Sequence, residues 1–502
     1  MSTTDSRNVP AAQAGPANPR CVAHKFGGTS VADAARYRHV AQLLLARDEP
    51  AQVTVVSAMK GVTDALIALA KAAAANATDW RASCQELRER HRRTARELLG
   101  EAAISALAWL DTRFDELVEL LKALSVLGTS PREALELVQG LGEVFSARLL
   151  SAHLAALGED CAMLDARDVL VVSHGELGVE VDWPTSQAKL TAWRAAHPAR
   201  RVVVTGFVAR DAAGHATILG RNGSDYSGAI FAALFDAAEL HIWTDVDGVL
   251  SADPRLVPEA VPLASLSYHE ACELAYFGAK VVHPQTMTPA ISRGLPIIIR
   301  NTFHPEHPGT RITAASSGDE GPVKGLTLSP DLALVNLEGA GMIGVPGTAE
   351  RVFAALRDAR VSVVMISQGS SEHSICCVVR EAEADLACAA LDRAFTRELA
   401  TGQVQSVQLT RGISVLAAVG DGMAGTPGTA ARLFDALARA RVNIRAIAQG
   451  SSERNISVAI ASADAAKALR AAHASFWLSP QTISVGVIGP GKVGAALIDQ
   501  LH

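Results

Sequence analysis

The 502-residue sequence has no CxxC pair, no GxxxxGK(S/T) loop, no long uncharged apolar run and no basic stripe. Each absence excludes a class of function. Its seven cysteines stand scattered at Cys21, Cys84, Cys161, Cys272, Cys376, Cys377 and Cys388, so zinc-ribbon and thioredoxin-type chemistry lack their ligand spacing. They read as free thiols of a reducing compartment, each behaving as a small hydrophobe. Without an apolar stretch of about 18 residues, no membrane-spanning helix is expected. The 46 basic and 52 acidic residues leave a formal net charge of -6, which gives no support to nucleic-acid binding. The Arg/His run at 88–93 reads as the solvated face of a helix. Without a P-loop, any phosphate must be held in another way. Residues 1–20 are polar and rich in Pro, Ala, Ser and Asn, with no apolar segment of the signal-peptide kind. They read as a disordered tail, and the expected location is the cytoplasm.

What is present is a globular composition, 49% hydrophobic and 20% charged, long enough for three or four domains. From 21 to 313, short apolar runs alternate with helix-patterned stretches. CVAHKFG, QVTVVSA, RVVVTGFVA, ELHIWTDV and LPIIIRNT read as buried strands, each followed by Gly or polar residues and then a helical pattern. That alternation predicts an α/β domain on a mainly parallel sheet. Between about 80 and 150 the pattern is almost wholly helical, an excursion from the sheet.

The next region is duplicated. GMIGVPGTAERVFAALRDARVSVVMISQGSSEHSICCVV and GMAGTPGTAARLFDALARARVNIRAIAQGSSERNISVAI recur 81 residues apart, from Gly341 and Gly422 to Gln368 and Gln449. Each copy reads as an α+β unit: strand, Gly/Pro turn, helix, strand, loop, strand. Thr348 and Thr429 are expected to cap the helices, with Phe353 and Leu356, or Phe434 and Leu437, on the buried stripe. The turns VPGT and TPGT could offer backbone amides to a carboxylate. Gln368 and Gln449 could hydrogen-bond an effector. The other reading of each copy is a dimer interface alone. The sequence ends on TISVGVIGPGKVGAALIDQLH, a strand, a GxGxxG turn (Gly489, Gly491, Gly494) and the start of a helix. It reads as the opening of a dinucleotide-binding fold, with about twenty residues expected to be too few to complete a site.

Four segments carry chemistry. KFGGTS at 25–30 ends the first strand; adjacent Gly27 and Gly28 let backbone amides approach a phosphate, and Lys25 can place an ammonium on it. Taken alone the segment also fits an ordinary strand–helix turn. GRNGSD at 220–225 adds Arg221, whose planar fork grips a carboxylate, with Ser224 and Asp225. Thr244 and Asp245 close the strand ELHIWTDV, where α/β sheets place ligands, and Arg255 follows. Lys280 sits in a Gly-bounded turn and could neutralise phosphate charge. His269, His304 and His307 read as surface or loop residues.

These four segments, in this order, resemble the aspartokinase family of amino-acid kinases over residues 21–313. The resemblance implies an amino-acid-kinase-type α/β sandwich with a mainly parallel central sheet, two α+β ACT-like domains at 325–400 and 401–480, and a Rossmann fragment at 481–502. It implies that the strand at 325–329 pairs with the second copy. It places Lys25 and Asp225 at the reaction, and Gly27, Gly28, Thr244, Asp245, Arg255 and Lys280 around ATP with Mg2+. Ser57, Thr63, Glu143, Arg221 and Ser224 fall around L-aspartate. Arg221 would clamp the α-carboxylate while Glu143 holds the α-ammonium, leaving the side-chain carboxylate to face the γ-phosphate. Many relatives carry Tyr where this chain has Leu250, so the nucleoside contact is expected to differ. Tandem ACT-like units before a GPGKVG segment look like a bifunctional aspartokinase–homoserine dehydrogenase cut early in its second enzyme. That implies threonine as effector, lysine as alternative, through Gln368 and Gln449, and a homo-oligomer formed by the ACT-like units. A glutamate or N-acetylglutamate kinase, or a non-enzymatic amino-acid sensor, is the competing reading.

Overall fold

The computed structural model of the chain describes residues 21–175, 178–220, 222–278, 284–316, 321–369, 373–478 and 491. The predicted tail at 1–20 and the GxGxxG segment, apart from Gly491, lie outside them. The chain divides into two units. One runs as far as Leu250 and resumes over Val261–Lys324; the other comprises Ser251–Ala260 and the chain from Gly325 onward.

Among the described residues the first unit holds twelve strands: β1 (Val22–Phe26), β2 (Gln52–Val56), β3 (Cys161–Leu164), β4 (Val171–Gly175), β5 (Gly178–Val181), β6 (Arg201–Thr205), β7 (Val208–Asp211), β8 (Ala216–Ile218), β9 (Leu240–Thr244), β10 (Ser265–Ser267), β11 (Ile297–Asn301) and β12 (Thr310–Thr313). Eight form one sheet in the order β10-β12-β11-β9-β1-β2-β6-β3, and four form a smaller sheet, β5-β4-β7-β8. From β11 through β9, β1, β2 and β6 to β3 every pairing is parallel. Each residue of β1, β2 and β6 is buried. Strands covered on both faces carry continuous rather than alternating apolar sequence, which is why these runs stood out. Parallel pairing also brings the carboxyl ends of β1, β2, β6, β9 and β11 to one edge, where the connecting loops converge.

The helical excursion is three helices, Trp80–Leu99, Ala103–Leu127 and Arg132–Ala156. Trp80, Leu110, Phe114 and Phe145 share one core with Phe26, Val31 and Val62. The third helix thereby returns to the sheet and carries Glu143 inward. Gly140 and Gly142 permit the approach. A Cβ on Gly140 would stand 2.4 Å from Val208 Cγ1, and one on Gly142 would stand 2.7 Å from the Cβ of Ala58.

The second unit is one antiparallel sheet built from β13 (Gly325–Glu338), β14 (Val363–Gln368), β15 (Ser374–Arg380), β16 (Ser406–Val419), β17 (Ile444–Gln449) and β18 (Asn455–Ala461). The order is β14-β15-β13-β16-β18-β17. The duplication is visible in the strands, β13, β14 and β15 matching β16, β17 and β18. The early part of β13, from Gly325 to Ser329, pairs with Val419 to Val415 of β16, beside β18 of the second copy. The early part of β16, from Ser406 to Thr410, pairs with Glu338 to Leu334, beside β15 of the first copy. A register shift near Leu332 separates the two halves of β13, where Asp331 takes a φ of 58°. Each long strand thus serves both copies.

One local expectation is corrected. Thr348 and Thr429 do not cap their helices; each is the first helical residue, and the caps are Gly347 and Gly428 at φ 88° and 90°. Glycine reaches that left-handed region without a Cβ clash, so the backbone itself makes the turn. The threonine hydroxyls instead donate back to Val345 O at 3.0 Å and Thr426 O at 3.2 Å.

Candidate active site

Lys25 is the fourth residue of β1 and is buried with its neighbours. Its Nζ lies 2.5 Å from Asp225 Oδ1. Among the described residues that oxygen makes no aligned hydrogen bond, and its contact with Lys25 is a charge pair. Asp225 stands in the first turn of the helix Gly223–Leu234, where the helix dipole favours a negative group. The turn into this helix is tightly specified. Gly220 takes a φ of 77°, Asn222 a φ of 58° and Phe207 a φ of 67°. A Cβ on Gly223 would stand 2.6 Å from the Phe207 ring. One turn into the helix, a Cβ on Gly228 would come within 3.1 Å of Lys25 Cβ and 3.3 Å of its Cγ. Absence of a side chain at 228 is what lets the Lys25 stem lie along the helix.

The two glycines after Lys25 differ in role. A Cβ on Gly27 would meet only Lys25 Nζ, at 3.7 Å, so this position borders the ammonium. A Cβ on Gly28 would strike Ala58 O at 2.8 Å, because the 57–60 turn packs directly on it. Backbone bonds from Ser57 N to Phe26 O and from Lys60 N to Gly28 O, both 3.1 Å, hold the two turns together. Gly61, at φ 77°, then opens the helix Val62–Ala74, which carries Thr63 in its first turn. Gly206 N donates to Val56 O at 2.9 Å, and a Cβ there would stand 3.1 Å from Ser224 Cβ. The ends of β1, β2 and β6 thus bring Lys25, Ser57, Ser224 and Asp225 to one edge.

Glu143 completes this group. It is 3% exposed, and its Oε2 makes no hydrogen bond among the described residues. Burial pushes its carboxyl up to about 8, opposed by N–H bonds from Ala58 and from its own backbone and by the positive charge of Lys25. A buried carboxyl with an unspent acceptor oxygen is costly unless a cation or donor arrives to meet it.

Thr244 and Asp245 leave the adjacent strand β9. The Thr244 hydroxyl lies 3.2 Å from Asp245 Oδ1, and Thr302 N donates to Thr244 O at 2.8 Å. Ser30 Oγ and Thr302 Oγ1 are 2.7 Å apart and buried, and His39 Nε2 lies 2.6 Å from Thr302 O. These contacts tie the glycine turn of β1 to the end of β11. Sequence reasoning quoted Ser30 inside its motif but missed Thr302, because nothing local marks a residue whose partner lies in a distant loop. It also missed Gly228, for which an isolated glycine inside a helical pattern was the available signal.

Farther along that edge, Asp247, His304, Glu306, His307 and Pro308 line an open pocket of about 420 Å3. Asp247 Oδ1 accepts a bond from Asn301 at 2.7 Å and lies 3.1 Å from His304 Nδ1. His269 is exposed on the helix Tyr268–Tyr276. Among the described residues, no group of three or more His, Cys, Asp or Glu is placed to hold a metal ion. Arg255 belongs to the second unit, where its Nη2 lies 2.5 Å from Asp253 Oδ2. Arg221 and Lys280 lie outside the described residues. Gln368 and Gln449 are the exposed last residues of β14 and β17, strands at the two ends of the sheet order. Those ends nevertheless meet: Ser367 Oγ donates to Ile447 O at 2.9 Å.

The chain matches the amino acid kinase family over residues 20–301. It matches an ACT domain family over 335–395 and again over 416–476. It is 44% identical over 486 residues to the chloroplastic bifunctional aspartokinase/homoserine dehydrogenase 1 of Arabidopsis thaliana, an alignment covering 95% of this chain and 53% of that protein. The bifunctional aspartokinase/homoserine dehydrogenase of Haemophilus influenzae is 37% identical, with 95% and 59% covered. The chain therefore spans a little over half the length of these relatives. Chloroplastic aspartokinase 1 of Arabidopsis thaliana is 30% identical over 468 residues, covering 91% of this chain and 80% of that one. Among solved structures, aspartate kinase of Clostridium acetobutylicum superposes with a TM-score of 0.75 at 26% identity, covering 91% of this chain and all of that one. E. coli aspartokinase III in complex with aspartate and ADP gives 0.74 at 25% identity, with 91% and 100% covered. The same enzyme with lysine and aspartate gives 0.72.

Proposed function

The chain belongs to the aspartokinases, within the amino acid kinase family, and we propose that it transfers the γ-phosphoryl group of ATP to the side-chain carboxylate of L-aspartate, giving 4-phospho-L-aspartate and ADP. The observation that carries this reading is the pairing of two features at one sheet edge. Lys25 is held by Asp225 at the end of a strand, and the buried Glu143 carboxyl keeps an oxygen with no partner among the described residues, in the electrostatic range of Lys25. The first suits a transferring phosphoryl group and the second an α-ammonium.

The acceptor carboxylate is already ionised, so no general base is needed. Catalysis then rests on positioning and charge neutralisation. Glu143 takes the substrate ammonium, Ser57, Thr63 and Ser224 offer hydroxyls, and Arg221 clamps the α-carboxylate, leaving the β-carboxylate directed toward Lys25. Lys25 stabilises charge on the phosphoryl oxygens as the bond to the leaving ADP oxygen breaks and the new acyl–phosphate bond forms. Asp225 keeps the ammonium in register, and the amides at Gly27 and Gly28 approach the phosphates. Thr244, Asp245, Arg255 and Lys280 are assigned to the nucleotide. Mg2+ supplies charge neutralisation on the phosphates.

Regulation is assigned to the tandem ACT units, with threonine as effector through Gln368 and Gln449 and self-association through the same units. A lysine reading is kept because E. coli aspartokinase III is described with lysine bound. The expected location is the cytoplasm, although several plant relatives are named chloroplastic. Among the described residues no helix is long and apolar enough to cross a membrane.

A coupled assay with ATP and, in turn, aspartate, glutamate and N-acetylglutamate tests the substrate. Turnover with aspartate alone is expected. Turnover of glutamate without aspartate overturns the assignment.

A further inference from the structure

The helical excursion of the first unit brings more to the site than Glu143. Its first helix, Trp80–Leu99, carries the Arg/His run at 88–93, and only part of that run is a solvated face. Arg88 pairs with Asp115 at 2.5 Å, Arg92 pairs with Asp111, and Arg93 is exposed. His91 is fully buried. Its Nδ1 lies 2.8 Å from Leu87 O, and a carbonyl only accepts, so Nδ1 carries the proton. The ring stands edge-on to Phe145 with centroids 5.0 Å apart, and Phe145 lies on the helix that carries Glu143. This packing fixes the rotation of the first helix about its axis, and with it the direction of the neighbouring Arg90.

Among the described residues Arg90 pairs with no carboxylate. Its Nη2 reaches two backbone carbonyls instead, Lys60 O at 2.9 Å and Ala32 O at 3.4 Å. That nitrogen carries two N–H groups, one for each acceptor. The acceptors hold equivalent places in the chain. Ala32 precedes Asp33, which caps the helix Ala34–Leu45, and Lys60 precedes Gly61, which caps the helix Val62–Ala74. The first turn is the one that leaves Lys25, Gly27 and Gly28, and it is closed by Ser30 N donating to Gly27 O at 2.9 Å. The second holds Ser57 and leads to Thr63. Lys60 is pinned from both directions: its N–H donates to Gly28 O at 3.1 Å, and its carbonyl accepts from Arg90. A guanidinium suits this bridge, because its planar fork loses less freedom per bond than a flexible ammonium.

We propose that Arg90 is a positioning residue for phosphoryl transfer: by bonding Ala32 O and Lys60 O at once, it sets the register between the turn assigned to the phosphates and the turn assigned to the amino-acid acceptor. This rests on the reading of Lys25, Gly27 and Gly28 as the phosphate side and of Ser57 and Thr63 as the acceptor side. Arg90 acts through backbone, so its loss leaves the Lys25–Asp225 pair and Glu143 in place. What it removes is the tie that keeps the two turns from sliding past each other. Transfer requires the acceptor oxygen and the phosphorus at near-attack distance, so a small slip between the turns slows the chemical step while each substrate still finds its own contacts.

The test uses the full chain with R90A and R90K. Expected for R90A is a fall in kcat of about tenfold to a hundredfold, with the KM for ATP and for aspartate within about threefold. Loss of either substrate's own contacts would not give that split. R90K keeps the charge, but its ammonium stops one bond short of the Nη2 position, so it should stay impaired. Free guanidinium, far below unfolding concentrations, should restore part of the R90A turnover, which a loosened fold would not show. Hydrogen-exchange mass spectrometry over 57–61 reads the register directly and without substrate. The Lys60 amide should exchange about fivefold faster in R90A, the weight of one net hydrogen bond. Wild-type kcat in a folded R90A overturns the proposal, as does a lowered kcat with unchanged exchange at Lys60. Turnover of glutamate in place of aspartate changes the substrate reading alone, and the kcat comparison is then made on glutamate. A wild type that phosphorylates none of the three acceptors removes both readings together.

Discussion

Gly228 and Lys25 are in direct packing contact: a single methyl group added at 228 would lie 3.1 Å from the lysine Cβ. The consequence is a substitution whose local and tertiary effects oppose each other. Gly228→Ala should favour the helix Gly223–Leu234 by up to about 1 kcal/mol through backbone entropy. It should also push the Lys25 stem away from Asp225. We expect a variant whose thermal midpoint stays within about 4 °C of wild type while kcat falls roughly tenfold or more. Calorimetry beside steady-state kinetics checks it, and full activity in the folded variant refutes the contact's importance.

The Lys25–Asp225 pair itself should be needed for turnover. Lys25→Met and Asp225→Ala should each lower kcat by about a thousandfold, the scale of losing one charge that stabilises a transition state. Asp225→Asn should retain more of the fold while losing most of the activity. Substantial turnover in Lys25→Met places the reacting phosphate elsewhere.

Glu143 makes aspartate binding pH-dependent with a definite sign. Without substrate its carboxyl is raised to about 8 and is mostly protonated at lower pH. Holding an ammonium requires the ionised form, so binding below that pH releases a proton. The KM for aspartate should fall as pH rises from about 6 to about 8 and then level off. Glu143→Gln should flatten this profile and weaken aspartate by about a hundredfold, leaving the KM for ATP near normal. For stability the direction reverses. The folded pKa lies above the ordinary 4.5, so this carboxyl's contribution is full at lower pH and is lost as pH rises through about 8. The ligand-free Glu143→Gln protein should therefore lose less stability than wild type between pH 5 and pH 8, measurable by denaturant unfolding.

Gln368→Ala and Gln449→Ala should each raise the threonine concentration for half-inhibition by about fivefold or more, with uninhibited kcat near wild type. Lysine is the control titration. Unchanged threonine response in both variants removes these glutamines from the effector site.

Much of the fold was legible because burial on both faces writes itself into sequence as unbroken apolar runs, and β1, β2, β6, β9 and β11 were read in that way. The duplication was legible because 81 residues separate each matched pair. Lys25, Gly27, Gly28 and Asp225 stood out because glycines sit beside charge in two loop segments, and the fold brings Lys25 and Asp225 together. What escaped was long-range. Ser30 and Thr302 meet only through the sheet order, and Ala58 bonds to Glu143 only because Gly142 lets the 57–60 turn lie against its helix. The threonines that open the repeat helices looked like caps because threonine is a favoured N-cap residue; the preceding glycines took that role. The ten residues Ser251–Ala260 of the second unit left no mark in sequence, since Ser251 bonds to Leu326 and His473.

The exchange of strand halves between β13 and β16 has a genetic meaning. A cut in the gene near codon 400 would not release two finished modules. Each product would keep an orphaned half-strand belonging to its neighbour and expose a raw sheet border where that neighbour had been. The duplicated copies are therefore one heritable object, and recombination that shuffles regulatory modules among enzymes would have to carry both copies in one piece, with residues 325–329 attached.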